Sequence, residues 1–589
     1  TSSMSGRVTD AAAQAIMGAT VRVVHEPSGT AYGTVTDASG RYAISGMKAG
    51  GPYRVSVSYV GYATVETGDI TLRLADRYVL NVAMTEKETL LTGVTVRPAF
   101  GGATAAGLSP GSVTHVSARQ IGATPTVSRS MTDIIRLSPV ASATSNGLAI
   151  GGGNFRQSNV TVDGAGFNNA FGLGTGILPG GGMPISLDAI EQMTVAATPY
   201  DVRQSGFTGG TVNAVTRSGT NRFRATAYTY LTNDTWTGDR VGDERLDIAT
   251  SHSYTYGFSA GGPIVRDRLF FFVNGEYEAN MEAGPTAKAG GGDAGTFSDT
   301  NRRPREGELA SLTDYLKSRY GMTTGPWQDY NVETPAYRLL ARLDWNITDR
   351  HRFNVRFTRS NRKQSSPPAN SRTVGVALPS AIYNASNVAM YGSNSYYGMT
   401  SLASRYYSEY RFTSLAAELD SRMGRWTNTL RATYSFQDQP RSTEYGDQPT
   451  LEIVMNDGQG HYPTWAMTGD DVFTAGNLTQ TKNLVLTDEA AVTLGRHRLT
   501  AGLQYEQTRA VNAFAQAAAG YYAYEATPEE VRQGRWDDVF GRAPRVFAIS
   551  YGNGADHSMF QAEMTTRLFS LYLQDEVALT DRLTLTGGL

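Results

Sequence analysis

From Arg222 onward, apolar and polar side chains alternate along runs whose connections are by turns very short and very long. Few architectures accept that rhythm. Phe353, Val355 and Phe357 share one face of such a run, and Arg352, Asn354, Arg356 and Thr358 the other. Leu339, Ala341, Leu343 and Trp345 oppose Arg338, Arg342 and Asp344. Trp426, Leu430, Ala432, Tyr434 and Phe436 oppose Arg425, Thr427, Thr429, Arg431 and Thr433. Leu499, Ala501, Leu503 and Tyr505 oppose Arg498, Thr500, Gln504 and Glu506. Period two marks a strand between two different surroundings. Long strands with a charged face suit lipid outside and water inside. Tight turns at 265–268, 348–351, 421–425, 495–497 and 580–582 alternate with polar stretches at about 279–333, 364–404, 439–477 and 511–557. Short turns at one end and long loops at the other are the asymmetry of an outer-membrane barrel, which a soluble sandwich or propeller has no reason to show. About eleven strands are expected, against 22 in barrels with a plugged lumen. The run LTLTGGL at 583–589 reads as the inside of a strand. An open half-barrel would leave backbone edges unsatisfied in lipid, so a partial sequence is expected.

Other features narrow the classes. Lys+Arg number 52 and Asp+Glu 54, a net charge of -2 that argues against a nucleic-acid binder. With no cysteine, disulfides, thiolate metal sites and cysteine nucleophiles are excluded. No run of 18 apolar residues offers a transmembrane helix, and residues 1–8 lack a signal-peptide pattern, so the chain is either not secreted or already processed. There are seven His and no HExxH; His25-Glu26 precedes Pro27, Ser28 and Gly29, which cannot continue a helix. No Gly-x-Ser-x-Gly elbow occurs. Gly172, Gly174 and Gly176 form a loose Gly-x-Gly pattern, but Pro179 and the glycines at 180–182 block the helix a nucleotide site needs, and no Walker A loop exists. The expectation is no enzyme, no catalytic residue, no cofactor and no metal.

Residues 1–86 read as short strands and turns. Val21 and Val23 share one face; Tyr53, Val55, Val57 and Tyr59 share another. Asp37 to Gly40 is a tight turn. The pieces GRVTD (6–10), GATVRV (18–23), TVTDASGRY (34–42) and YRVSVSYVGY (53–62) resemble the carboxypeptidase regulatory-like domain. That resemblance implies a non-catalytic β-sandwich, a frequent addition to outer-membrane receptors of Bacteroidetes and related bacteria; the alternative is an Ig-like adhesion module. Residues 87–110 read as a linker carrying one β-prone run, Leu91, Thr92, Gly93, Val94, Thr95 and Val96. Such a run suits strand addition to a partner's sheet. Otherwise it is the sandwich's last strand or a plain tether.

Residues 111–221 hold a short helix candidate at 130–138 and a strand entering an Asp-Gly turn at 158–164. An acidic turn leads into a strand at 185–194, and GGTVNAVTRSGTN closes the region at 209–221. FRQSNVTVDG (155–164), LDAIEQMTV (187–195) and that closing passage resemble the plug of TonB-dependent receptors. With AGGPIVRDRLFFFVNGEYE (260–278), they resemble its Oar-like branch. The resemblance implies an all-β chain with an α+β plug: sandwich (1–86), linker with a TonB box at Leu91 to Val96 (87–110), plug (111–221) and the first eleven or so strands of a 22-stranded transmembrane β-barrel (222–589). The candidate box matches no single consensus closely. Implied partners are a TonB-type energy-transducing protein, outer-membrane lipid, a surface or periplasmic accessory protein and an unidentified substrate, with a lean toward peptide or protein; nucleic acid is not among them. Candidate substrate contacts are Asn168, Asn169 and Phe171 at the plug apex and Tyr391, Tyr396 and Tyr397 in an Asn/Ser/Gly/Tyr-rich loop, a composition typical of recognition surfaces. Two helices are expected in the loops: one over 308–321 with Leu309, Leu312, Leu316 and Tyr320 on a face, and one opened by Thr527-Pro528. The rival is a non-transporting outer-membrane adhesin or secretion-associated barrel.

Overall fold

The computed structural model describes residues 2–74, 77–86, 112–126, 129–144, 147–168, 178, 182, 184–245, 249–285, 288–290, 303–368, 398–456, 462, 464–551, 560–580 and 583–589. Among them, no helix is long and apolar enough to cross a membrane.

The described residues among the first 84 form two facing four-stranded sheets. One orders Thr30–Val35, Thr20–His25, Gly50–Ser58 and Val65–Leu72. The other is built on Ser2–Asp10, which pairs antiparallel with Arg41–Met47 and parallel with both Arg77–Val79 and Val82–Met84. Val21, Val23, Tyr53, Val55 and Val57 meet in the core between the sheets. Tyr59 lies beyond its strand and is exposed, so it does not continue that face. The Asp37 turn forms as read: Asp37 Oδ1 accepts from Ser39 N–H (2.9 Å), and Gly40 takes a positive φ.

A mixed five-stranded sheet follows, ordered Ala165–Gly166, Asn159–Val162, Thr211–Thr216, Ile190–Ala196 and Val113–Ser117. The helix Met131–Ile135 is capped at both backbone positions by Ser130 and Asp133. This inner domain shares one core with inward side chains of the large sheet: Phe272, Leu340, Phe412 and Ala416 pack with Phe167, Val160 and Val162.

The large antiparallel sheet holds twelve strands: eleven in sequence order, from Arg224–Asn233 to Thr584–Gly588, plus Asn331–Glu333 beside Leu269–Ala283. Its faces are inverted relative to a soluble protein: Asp344 is 4% exposed and its neighbour Trp345 47%. Tyr406–Met423, Trp426–Thr443 and Gln561–Ala578 each run 18 residues. About 9–11 residues cross a bilayer, so these strands project well past it.

The long connections are folded where described. Met399–Thr400, Thr464–Thr468, Thr450–Val454, Tyr521–Glu525 and Val546–Ala548 form a second five-stranded sheet outside the barrel. The helix Glu306–Tyr320 ends on Gly321 at φ 67°, and Thr527 caps Pro528–Arg532. Leu309, Leu312 and Leu316 are buried on this lobe's core, whereas Tyr320 is exposed.

Candidate functional site

Beside the shared apolar core, the inner domain meets the barrel wall through charges. Strand Asn159–Val162 ends at Asp163, which takes a positive φ of 47° before Gly164. The Asp163 carboxylate accepts from Thr216 N–H (3.0 Å) and Thr216 Oγ1 (2.7 Å), both within the inner domain. It also accepts from Arg356 Nη1 (2.6 Å) on the barrel, with Arg342 at 3.5 Å. The same Arg356 nitrogen donates to Val162 O (2.7 Å). A side chain at Gly164 would strike the Arg431 guanidinium at 2.7 Å, and Arg431 is itself paired with Glu418. Beside them Phe167 packs on Phe412, ring centres 4.6 Å apart. Farther round, Glu276 accepts from Ser186 Oγ (2.8 Å), Tyr228 OH (2.8 Å) and Arg338 (2.7 Å), while Arg129 stacks on Tyr230 (3.8 Å). A cavity of about 1490 Å³ touches Asp163, Arg342, Arg431, Glu418 and Gln437. The seam thus combines hydrogen-bonded ion pairs with the apolar contacts of the shared core.

The sandwich closes on the other end of the wall, at the short turns. Arg352 and Arg422 flank the Tyr32 ring at 3.9 and 4.2 Å. Arg352 donates to Ala31 O (3.2 Å) and Arg422 to Ser45 O (3.2 Å). Arg498 donates to Ser45 Oγ (2.9 Å), Lys48 pairs with Asp344 (3.3 Å) and Arg77 with Glu576 (2.9 Å). Gln192 ties the inner domain to the sandwich backbone at Leu74 N (2.7 Å) and Leu72 O (3.2 Å). Planar guanidinium groups suit this double task of stacking on a ring and donating to carbonyls.

His25 lies inside this contact. Its Nδ1 is 2.7 Å from Ser28 Oγ and its ring packs on Tyr53 at 4.9 Å. Burial, then the charges of Lys48 and Arg352, hold its pKa down at about 3. The unfolded chain therefore binds more protons between that value and 6.5. The stability His25 contributes is complete above about pH 6.5 and falls as pH drops toward 3, by at most ~1.4 kcal/mol per unit. Calorimetric melts of the protein between pH 7 and 4 are expected to show a falling sandwich midpoint in the parent and a shallower fall in His25→Gln; parallel slopes would refute the assignment.

Of the sequence-derived site residues, Asn168 is turned inward. Its Oδ1 accepts from Val160 N–H (2.6 Å), its Nδ2 donates to Ser158 O (3.0 Å), and its carbonyl accepts from barrel Gln437 (2.8 Å). Its amide thus shapes the inner domain. Asn169, Phe171, Tyr391, Tyr396 and Tyr397, and the run Leu91, Thr92, Gly93, Val94, Thr95 and Val96, lie outside the described residues. The Asp163 cluster and the arginines on Tyr32 were not singled out from sequence. Their signals were present only as lumen-side arginines at period two and an Asp-Gly turn.

A model of the outer membrane beta barrel domain matches residues 215–589, and one of the carboxypeptidase regulatory-like domain matches 3–85. The TonB-dependent transporter Oar of Myxococcus xanthus is 26% identical over 251 residues, 41% of this chain and 23% of that protein. The outer membrane transporter YddB from Escherichia coli matches with a TM-score of 0.52 at 11% identity, over 81% of this chain and 56% of that one. The siderophore receptor PirA from Acinetobacter baumannii matches at 15% identity and a TM-score of 0.47, over 81% and 56%. The chain thus spans about a quarter of the curated relative and somewhat over half of these structures. The curated relative is a transporter, and its match bears out the resemblance to the Oar-like branch of TonB-dependent receptors. With more than half of its length inside the matched barrel domain, the chain belongs to the outer membrane beta barrel family, resides in the outer membrane, and carries an N-terminal carboxypeptidase regulatory-like domain.

Proposed function

We propose that this chain works in energy-coupled transport across the outer membrane, as four parts: sandwich (1–86), linker (87–110), plug (111–221) and barrel (222–589). A barrel this wide would leak, so a plug fills it. No nucleotide is supplied at the outer membrane, so work arrives mechanically. A TonB-type partner pairs with Leu91 to Val96 and pulls; part of the plug shifts; substrate passes. Substrate first meets the outer loops, with Tyr391, Tyr396 and Tyr397, and the plug apex at Asn168, Asn169 and Phe171. Asn168 then acts by holding the apex in shape. A peptide or protein is the substrate class we favour.

The observation that carries this reading is the seam between inner domain and wall. Asp163, Arg342 and Arg356 hold it through ion pairs and hydrogen bonds. The charged part of this seam can exchange its partners for water when loaded, at a smaller net cost than parting the apolar contacts beside it at Phe167 and Phe412. The test is deletion of residues 88–97. Uptake is expected to fall to background while substrate binding at the cell surface keeps its affinity. Normal uptake by the deleted protein would sink the assignment.

A further inference from the structure

The strand Thr20–His25 lies between Thr30–Val35 and Gly50–Ser58 in its sheet. Its far end sits at the rim contact with Tyr32 and Lys48. Its near end carries an apolar tip that nothing covers among the described residues. Met17 is 63% exposed, Val35 61%, Val60 91% and Tyr59 39%. They are neighbours through the sheet. Thr20 pairs with Val35 on one side and Ser58 on the other, and Gly18 N donates to Thr36 O (3.0 Å). A Cβ on Gly18 would stand 3.8 Å from the Tyr59 ring, and the Tyr59 and Tyr62 rings are 5.7 Å apart. Large apolar side chains grouped at a surface mark an interaction site more often than scattered ones do.

The chain leaves the sandwich beside this tip. Tyr62 bridges Glu86, and Ala63 N donates to Thr85 O (2.9 Å). Leu91 follows five residues later, which is at most about 18 Å of extended chain. Whatever grips Leu91 to Val96 is therefore held against the tip at high effective concentration. Glu86 and Asp10, the latter paired with Met84, give the tip an acidic border.

We propose that the tip formed by Met17, Val35, Tyr59 and Val60 docks the folded periplasmic domain of the energy-transducing partner, through a partner face that is apolar at its centre and basic at its edge. This rests on the reading of Leu91 to Val96 as the gripped segment. The gripped strand supplies the pull, and the tip adds a second contact that favours a partner shaped for it.

The test uses the full-length protein in its native membrane. With p-benzoylphenylalanine in place of Val60, illumination is expected to crosslink the chain to the energy-transducing protein. A crosslink to a second copy of this chain, to a different protein, or to nothing overturns the proposal. Met17→Asp/Val60→Asp is expected to weaken binding of that protein's purified periplasmic domain about tenfold, the scale of two exposed apolar side chains that bury on docking. Both positions are exposed, and an unchanged melting midpoint for the double variant checks that the sandwich is intact. Uptake that survives deletion of 88–97 removes the gripped-segment reading and this proposal with it. Loss of uptake on deletion, with unchanged affinity in the double variant, removes this proposal alone.

Discussion

Replacing Asp163 with alanine is expected to loosen the plug from the barrel wall and make cells permeable to bulky hydrophilic antibiotics that an intact outer membrane excludes. Arg356 is 1% exposed, and its Nε and Nη2 have no hydrogen-bond partner among the described residues. Asp163 and the Val162 carbonyl are what hold its remaining nitrogen. Without the carboxylate, a buried guanidinium keeps one carbonyl, and Thr216 loses an acceptor at both its amide and its hydroxyl. Breaking a buried pair from one side costs about 3–5 kcal/mol. The alanine also sits at φ 47°, a region Asp and Asn tolerate better. Asp163→Asn separates these effects: it keeps the backbone preference and an acceptor but drops the charge, so an intermediate phenotype is expected. Asp163→Ala with Arg356→Met removes both charges and is expected to recover part of the loss, because the uncompensated cation is gone. Antibiotic sensitivity and protease access to the plug give the readout. If Asp163→Ala matches the parent in both, the seam is not held here.

How much of this was legible follows from where each residue sits. The barrel strands were readable because water and lipid write opposite demands onto alternate positions, and Asp344 beside Trp345 obeys them. The arginines at 342, 352, 356 and 431 could be placed on the lumen side but not given partners. Asp163 lies 193 residues from Arg356, and Tyr32 is farther still from Arg422, so only the fold brings them together. Asn168 is a candidate substrate contact from sequence by its place at the plug apex; the structure folds its amide back onto Val160 and Ser158, a pairing no local pattern announces. Tyr59 and Tyr320 each extended a correct periodicity one step too far, past the end of the strand and onto the exposed last turn of the helix. The outer sheet left no trace at all. Thr450–Val454 and Thr464–Thr468 are only five residues each and buried at every position, so neither stands out as a strand from the polar stretch around it.

That outer sheet sets up the second large expected effect: Trp536→Ala should unravel all four long loops together while the barrel stays closed to heat and detergent. Trp536 is 2% exposed and comes from the last of them. Its Nε1 donates to Ser311 Oγ (2.9 Å) on the helix of the first, and its ring lies 6.2 Å from Trp465 of the third. Met399 of the second pairs with Ala466 in the same sheet, and Thr450–Val454 bridges Thr464–Thr468 to Tyr521–Glu525. The lobe's larger core joins pieces of all four loops that share no local sequence, with a second, smaller cluster on Tyr521, Ala523 and Ala548, so the loops lose their common support when Trp536 is lost. Truncating a buried Trp costs about 3–5 kcal/mol, comparable with the whole stability of a small lobe. The barrel ladder beneath keeps its own backbone pairing, as in Tyr406–Met423 against Trp426–Thr443. Limited proteolysis of intact cells is therefore expected to cut Trp536→Ala within all four loops, near-parental protection should return with Trp536→Phe, and the barrel fragment should still resist unfolding in detergent at a temperature that melts the lobe. Under the transport reading, surface binding of substrate fails along with the lobe. Cleavage confined to the last loop would show instead that the loops fold independently and that the shared core does not hold them.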